Sequence, residues 1–195
     1  MNKNKGTDIF FADLTFRNID YSVSDLTGKE FDTCVFVNCN FSKCFFSETA
    51  FTDCRFENCD FSLVKFSNTG LRDVVFTGCK LTGADFSGCK GAFLSFYFEK
   101  CVLDLASFMK MKINKTPFLS CSLREADFTG TDLSGSKFEN CDLDRAVFMD
   151  SILEKADLKT AINYSIDPER NKIRQAAFSL SGIPGLLYKY NINIS

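Results

Sequence analysis

A large apolar residue recurs at every fifth position over most of this chain of 195 residues, and we call this position i. The first run of the pattern is Phe31, Phe36, Phe41, Phe46, Phe51, Phe56, Phe61, Phe66, Leu71, Phe76, Leu81 and Phe86. A second run, displaced by two residues, is Phe93, Phe98, Leu103, Phe108, Ile113, Phe118, Leu123, Phe128, Leu133, Phe138, Leu143, Phe148, Leu153 and Leu158. A period of five fits neither a helix, with about 3.6 residues per turn, nor a strand, with a period of two, so the pattern predicts a chain that bends once in each unit.

The residue at position i−2 is small or carries a thiol in almost every unit, and all ten cysteines lie there. Positions i−2 and i share one face of a short extended segment, so both are predicted to point inward while the other three positions face solvent. Glycine recurs at i+2, where a bend with positive φ suits it, in Gly28, Gly78, Gly83, Gly88, Gly130 and Gly135. Such a chain coils around its own inward side chains, which is the architecture of a solenoid stabilised by the stacking of its turns.

The composition excludes several functions. The chain has no histidine, which removes Ser-His and Cys-His nucleophile pairs and mixed Cys/His zinc sites. No glycine-rich phosphate loop or catalytic constellation is evident, so we expect no enzyme, no cofactor and no metal site. With 23 basic against 25 acidic residues the net charge is −2, which indicates neither direct nucleic-acid binding nor a membrane surface. Because no signal peptide or apolar span is evident, we expect a cytoplasmic protein.

Several units, including Cys59-Asp60-Phe61-Ser62 and Ala126-Asp127-Phe128-Thr129, resemble the A-[DN]-[LF]-x-x unit of pentapeptide-repeat proteins. The resemblance covers roughly residues 31 to 160. It implies an all-β fold, a right-handed quadrilateral β-helix with about four units in each coil, so that residues about twenty apart are stacked. About 25 units would then form about six to seven coils.

Under this register the cysteines form two inward ladders, one of Cys39, Cys59 and Cys79 and the other of Cys101, Cys121 and Cys141. Two interpretations are open: a metal or disulfide site, or a set of small packing groups beside the phenylalanines. In-register parallel strands hold Cβ atoms about 4.8 Å apart, which is beyond the usual disulfide range. We therefore favour packing.

A more local resemblance concerns residues 106–118, ASFMKMKINKTPF, which are similar to a stretch of the quinolone-resistance members of the family that protect DNA gyrase. A loop important for this protection is found there in those proteins. The resemblance implies DNA gyrase, a type II topoisomerase, as the partner, and a candidate partner-binding segment of Met109, Lys110, Lys112, Asn114, Lys115 and Pro117. The segment either projects as a recognition loop or continues the coil, because Met111 and Ile113 still fit positions i−2 and i.

Two functions from different classes remain open. The chain is a regulatory protein that binds a topoisomerase through the rod surface and the candidate segment, or it is a scaffold rod with another protein partner and no gyrase activity. The mechanism usually described for the gyrase-interacting relatives is mimicry of B-DNA, which carries one negative charge per about 1.7 Å of axis. A net charge of −2 with no acidic face gives such mimicry little support.

The two-residue phase shift lies within residues 87–97, where Gly91 is the expected site of a bulge or kink. Three aromatic residues are close to it, Phe93, Phe96 and Tyr97. They either form a surface patch for a partner or fill the space left at the kink, and we favour the second interpretation.

Both ends depart from the pattern. We expect an imperfect first coil or cap over residues 1–30, the repeat over 31–160 and a C-terminal cap over 161–195. In the last region Asp167-Pro168-Glu169 is typical of a helix start, and apolar spacing predicts a short amphipathic helix from Ile183 to Tyr190. The region either caps a monomer or joins two copies end to end, as in related gyrase-interacting proteins, and we favour the homodimer. Its candidate residues are Ile183, Leu186, Leu187, Tyr190, Ile192 and Ile194.

Overall fold

The computed structural model describes residues 9–90 and 93–193, which form a parallel β-solenoid of about eight turns. Its strands are β1 (Phe10–Ala12), β2 (Thr15–Arg17), β3 (Glu30–Asp32), β4 (Val35–Val37), β5 (Ala50–Thr52), β6 (Arg55–Glu57), β7 (Gly70–Arg72), β8 (Val74–Thr77), β9 (Phe96–Glu99), β10 (Pro117–Leu119), β11 (Lys137–Glu139), β12 (Asp157–Leu158) and β13 (Ala177–Phe178). One α-helical turn, α1 (Pro184–Leu187), follows them. The predicted β-helix is confirmed, and it is longer than six to seven coils because the segments that flank the repeat also pair in register.

The four faces of the coil differ in how extensively their stacked segments pair. Strands β1, β3, β5 and β7 form one parallel sheet, and β2, β4, β6 and β8 to β13 form a second. The other two faces are joined by isolated parallel bridges, such as Asn40 with Asp60. Partners such as Phe31 and Phe51 are twenty residues apart, so each turn uses one five-residue unit per face.

The bends lie at position i+2, where the backbone is left-handed in most units. Gly78 has a φ of 64°, as predicted. Gly88 does not have a positive φ, so the prediction is wrong there; a Cβ at this residue would lie 3.2 Å from Cα of Ser67, and close approach is the reason for glycine. Val23 and Leu63 adopt the left-handed conformation at φ of 54° and 59° despite its cost, because stacking imposes the same bend on successive turns.

Phenylalanine rings fill the axis of the coil in two contact geometries. Rings twenty residues apart are parallel, as in Phe41 and Phe61, with 4.7 Å between centroids and 11° between planes. Rings on adjacent faces meet edge to face, as Phe56 and Phe61 do at 5.0 Å and 87°. Both geometries suit the ring quadrupole, and each pair adds about 0.5–1.5 kcal/mol beyond the burial of its area.

The six cysteines of the two predicted ladders form one column. The phase shift changes the register by two residues, so that Lys80 pairs with Val102 and Cys101 is the successor of Cys79. The column is therefore continuous through Cys39, Cys59, Cys79, Cys101, Cys121 and Cys141.

The thiols are packing groups. All ten cysteines are free, and nine are buried. The Cys79 thiol donates a weak hydrogen bond to the Phe56 carbonyl of the turn below at 3.3 Å, and burial raises the pKa of Cys54 to about 12. Within residues 9–90 and 93–193 no group of three or more Cys, Asp or Glu side chains is arranged to hold a metal ion.

The C-terminal region corrects one sequence prediction and confirms another, the short C-terminal helix, within narrower bounds. Asp167-Pro168-Glu169 forms a turn rather than the start of a helix: the Asp167 carboxylate accepts from the Glu169 N–H at 2.9 Å, and Lys172 then rejoins the coil. The helix predicted from Ile183 to Tyr190 is reduced to α1, with 3₁₀ turns at Leu180–Gly182 and Tyr188–Tyr190 on either side.

Competing contacts explain why this helix is short. The Gly185 carbonyl accepts from the Ile166 N–H at 2.9 Å, so α1 is tied to the last turn of the coil by a bond that a longer helix would use internally. The Lys189 ammonium contacts the carboxylates of Asp167 and Glu169, each at 2.6 Å. These ion pairs hold both carboxyl pKa values below their usual range, with hydrogen bonds from Lys189 as the largest cause.

The candidate dimer or cap residues divide into two groups. Leu186 is 9% exposed and covers the end of the coil, and Leu187 is half-buried. The exposed members are Ile183, Tyr190 and Ile192, whereas Ile194 lies outside the described residues. No helix in the described residues has the length and apolar content needed to cross a membrane.

Candidate partner-binding cleft

The sheet formed by β1, β3, β5 and β7 ends where the phase shift begins. The regular ladder reaches Lys90, whose N–H donates to the Thr69 carbonyl at 2.9 Å, and the next described ladder bond of this face starts at Ser95. Gly91, the expected site of the bulge, lies outside the described residues. In the turn above, the same face resumes only at Lys112.

The aromatic residues of the phase shift divide between the core and the surface. Phe93 is predicted to face inward at position i, and this is wrong, because it is 76% exposed. The chain has two more residues here than the coil can accommodate, so part of it must leave the core. Leu94 packs against the core edge instead, and Phe96 is buried in β9, where it pairs with Val74. Phe96 thus fills core space, Tyr97 is half-buried, and Phe93 is a surface residue.

The interruption leaves an open cleft of about 1150 Å³, lined by residues from both sides of the phase shift. The lining includes Arg72 and Asp73 from the preceding run, and Phe93 and Leu94 from the phase shift itself. From the turn above come four residues of the candidate segment, Lys110, Lys112, Asn114 and Lys115. Met109 and Pro117, the other two members, lie outside the cleft lining.

The candidate segment continues the coil and does not project as a loop. Met111 and Ile113 are 5% and 1% exposed, at the inward positions that the repeat assigns to them. Lys110 and Lys115 both occupy the left-handed corner, each with a φ of 59°. Pro117 lies in β10, and the pairing of β10 with β9 begins one residue later, because proline has no N–H to donate.

The cleft carries an excess of positive charge. Four basic side chains, Arg72, Lys110, Lys112 and Lys115, line it against the two carboxylates of Asp73 and Asp132. The Asp132 carboxylate already accepts from the Ser134 N–H and hydroxyl. Within the described parts of the chain, none of the four cations forms an ion pair with a carboxylate. An anionic group entering the cleft therefore meets cations that are not already neutralised.

Sequence reasoning missed Arg72 and Asp73 as members of this surface. They belong to the first run of the repeat, and about forty residues separate them from the lysines. The signal that could have found them is the register itself: with the two-residue insertion placed after Lys90, residues 70–73 and 110–115 fall on the same face.

The fold and the cleft define a class of protein: a repeat solenoid that presents surfaces and grooves along a rod. The chain belongs to the pentapeptide repeat family, since the family model described as "Pentapeptide repeat region" matches residues 29–97 and 92–163. No curated protein matches the chain.

The chain is also similar to several solved structures. Two trypsin-treated variants of QnrB1, described as a plasmid-mediated fluoroquinolone resistance protein, are 20% and 23% identical, with TM-scores of 0.62 and 0.63. The matches cover 95% and 100% of this chain and 100% and 95% of theirs. HetL, involved in heterocyst differentiation regulation in the cyanobacterium Nostoc sp. strain PCC 7120, is 17% identical, with a TM-score of 0.42 and coverage of 89% and 88%. At these identities the QnrB1 likeness concerns the fold.

Proposed function

We propose that this chain is a non-enzymatic binding protein that acts on a type II DNA topoisomerase, with DNA gyrase as the partner. The observation that carries the proposal is the cationic cleft, because its lysines are those of the segment that resembles the gyrase-protecting members of the family. The likeness in fold to a fluoroquinolone resistance protein over nearly the whole chain supports it. The ten free thiols suit a reducing compartment, which supports a cytoplasmic location.

The proposed contact is the cleft and not an acidic face that imitates DNA. Charges along the faces of the rod are paired across turns, for example Arg124 with Asp142 at 2.6 Å and Lys80 with Asp60 at 3.7 Å. Such alternation does not reproduce the continuous negative charge of a duplex. Four cations in one cleft, none of which forms an ion pair with a described carboxylate, instead favour an acidic patch on the partner protein.

A supercoiling assay tests this proposal. We expect the wild-type chain at micromolar concentration to change gyrase supercoiling, either directly or by relieving fluoroquinolone inhibition. The double variant Lys112→Ala/Lys115→Ala should require about tenfold more protein for the same effect, because it removes half of the cations of the cleft. The readout is plasmid topology on a gel, with and without the drug.

The chain offers a matched control. Lys172 and Lys155 occupy the same positions of the repeat as Lys112 and Lys115, on the same face, but outside the cleft. Lys155 has a φ of 60°, so the backbone cost of alanine is the same as at Lys115. Lys155→Ala/Lys172→Ala should therefore retain the wild-type effect. If the wild-type chain leaves supercoiling and drug inhibition unchanged, the topoisomerase proposal is wrong.

The alternative function is a scaffold rod with another protein partner. Exposed apolar residues at one corner of the coil favour it: Val23, Leu63 and Leu105 are 69%, 63% and 56% exposed in the left-handed positions of alternate turns, with Lys43 and Gly83 between them. Apolar side chains at these corners cover no core, so they are free to contact another protein. This alternative predicts that the wild-type chain has no effect in the supercoiling assay.

We also propose that the C-terminal region forms a homodimer. Leu180, Tyr188 and Ile192 are 93%, 57% and 55% exposed around α1, whereas Leu186 is already used to cover the coil. A second copy would bury this apolar end. We expect a dimer at tens of micromolar for the wild type and a monomer for Leu180→Arg, measured by sedimentation equilibrium.

Phe45→Arg is the control for this prediction, because Phe45 is 61% exposed on the side of the rod. It introduces the same charge at another exposed apolar residue and should leave the dimer intact. A wild-type chain that sediments as a monomer at 100 micromolar would contradict the proposal.

A further inference from the structure

The larger of the two sheets presents a surface made of short rows. Each strand buries its central residue, at position i, and turns the residues at i−1 and i+1 outward, as β6 does with Arg55 and Glu57 around buried Phe56. We call the outward side of β2, β4, β6 and β8 to β12 the long face, and each outward pair of residues a row. The strands pair in register, so the rows lie directly above one another along the rod.

The long face is flat. The phenylalanine rings behind it stack from Phe16 to Phe138 with centroids 4.8–5.2 Å apart and only 5–14° between adjacent ring planes, so each unit is stacked on the last with little rotation. From β2 to β11 the face is about 30 Å long, because adjacent strands lie about 4.8 Å apart. A flat surface of this kind can be covered evenly by a second flat surface, which a strongly twisted sheet does not allow.

The rows of the long face are self-complementary in charge. Three rows carry one charge of each sign: Arg55 with Glu57, Lys137 with Glu139, and Asp157 with Lys159. Uncharged rows separate them: Val35 with Val37, Val75 with Thr77, and Pro117 with Leu119. Two further rows carry a single charge: Thr15 with Arg17, and Tyr97 with Glu99. No row of β2 to β12 on this face carries two like charges.

The other three faces lack this pattern. Among the described residues, none of their rows joins opposite charges. Rows of like charge occur there instead: Glu30 with Asp32, Lys172 with Arg174, and Asp142 with Asp144. The complementarity therefore belongs to the long face and is not a general property of the repeat.

The charges of two rows are available to another molecule. Arg55, Glu57, Lys137 and Glu139 are exposed, and none of them takes part in an ion pair within residues 9–90 and 93–193. Charged groups without a partner in their own chain gain most from a complementary surface.

We propose that the long face binds a second copy of this chain, with the two rods side by side, pointing the same way, about a two-fold axis parallel to the rod. Such an axis keeps each row at its height and exchanges left with right, so position i−1 of a row meets i+1 of the same row in the other copy. Arg55 then meets the second copy's Glu57, and Lys137 meets the second copy's Glu139. The uncharged rows meet their own copies between these ion pairs.

The charge pattern also selects the direction of the second rod. An antiparallel arrangement centred on β9 would pair each row with the row at the mirrored height and would not exchange i−1 with i+1. Arg55 would then meet Lys137, and Glu57 would meet Glu139, so both contacts would be repulsive. The parallel arrangement is the one in which no row meets a like charge.

The size of the face sets the strength of the association. Three residues of strand span about 10 Å, so the contact covers roughly 300–400 Å² on each copy. This is below the roughly 800 Å² per partner of a stable interface, so we expect a Kd of hundreds of micromolar. The contact is separate from the proposed C-terminal dimer, and it does not depend on the partner of the cleft, which opens on the face of β1, β3, β5 and β7.

The experiment is sedimentation velocity from about 50 micromolar to 1 millimolar on the full chain carrying Leu180→Arg, which removes the proposed end-to-end contact. We expect this parent chain to associate with a Kd of hundreds of micromolar. Adding Lys137→Glu or Glu139→Lys should weaken the association at least tenfold, because each turns two attractions of the dimer into two repulsions. An equimolar mixture of these two variants should associate again to within about threefold of the parent, since one carries two carboxylates in the row and the other two ammonium groups.

Two controls accompany these variants. The double variant Lys137→Glu/Glu139→Lys reverses the row and should associate like the parent. Lys172→Glu makes the same change of charge as Lys137→Glu at the same position of the repeat on another face, and it should leave the association unchanged. Circular dichroism of each variant checks that the coil is folded.

Three results would overturn the inference. A parent chain that stays monomeric at 1 millimolar would show that the long face binds no second copy. Stronger association of Lys137→Glu would assign the antiparallel arrangement. A mixture of the single variants that does not associate would mean that net charge, and not pairing of rows, governs the contact. A Leu180→Arg chain that is already dimeric at tens of micromolar would contradict only the C-terminal proposal, because the row variants still decide this one.

Discussion

Replacing Phe108 with alanine is expected to lower the free energy of unfolding by about 3–5 kcal/mol. The Phe108 side chain is fully buried and stacks between Phe86 and Phe128, with centroids 4.9 Å and 5.2 Å away. It also meets Phe98 and Phe118 edge to face. Stacked turns cannot close the resulting cavity without losing the strand register, so little relaxation is expected. Urea unfolding followed by circular dichroism measures the loss.

Phe93→Ala is the control for this prediction. Phe93 and Phe108 both stand at position i of the five-residue pattern, but Phe93 is 76% exposed. We expect its replacement to change the free energy of unfolding by less than about 0.5 kcal/mol. Similar losses for the two variants would show that Phe93 belongs to the core, contrary to the structure.

Replacing Asn171 with alanine is expected to cost about 2–4 kcal/mol, because it leaves the buried Phe148 carbonyl and Ser151 N–H without the partner that the Asn171 amide provides. The Asn171 amide donates to the carbonyls of Phe148 at 2.9 Å and Asp167 at 3.0 Å, and its oxygen accepts from the Ser151 N–H at 2.9 Å. These bonds tie the turn at residues 167–170 to the last regular coil. Hydrogen exchange should show loss of protection beginning at this end of the rod.

Cys141→Ala provides the comparison for Asn171→Ala, since both residues occupy an inward i−2 position. The Cys141 thiol makes only weak hydrogen bonds, to the carbonyls of Phe118 at 3.3 Å and Glu139 at 3.5 Å. Its loss should cost about 1 kcal/mol. An equal cost at the two sites would contradict the role assigned to the Asn171 amide.

Much of the fold could be predicted from the sequence because the repeat is locally determined. Each unit carries its own inward pair of residues and its own bend, and the unit stacked on it in the next turn has the same pattern. Phe61 or Cys59 therefore needs no distant information to be placed inside. The prediction failed for Phe93 because a two-residue insertion can be expelled at several places, and the period alone does not say which residues leave the core.

The candidate site, like the fold, could be predicted from the sequence only in part. The lysines of residues 109–117 were identified from a local resemblance, but their environment was not. Lys112 lines a cleft because, among the described residues, the regular ladder of the face that ends at β7 stops at Lys90 in the turn below. Arg72 reaches the same cleft because the coil returns to that face after the phase shift. Neither fact can be derived from a window of neighbouring residues.

The sequence by itself determined the solenoid, the inward phenylalanines and the small residues beside them, because these follow from a period that each turn satisfies with its neighbours. Tertiary structure decided how the period is broken. It joined the two predicted thiol ladders into one column and reduced the C-terminal helix to one turn. It also opened a cationic cleft at the phase shift. The physical reason is that these features depend on the register between turns, and register is set by which residues the whole stack can bury together.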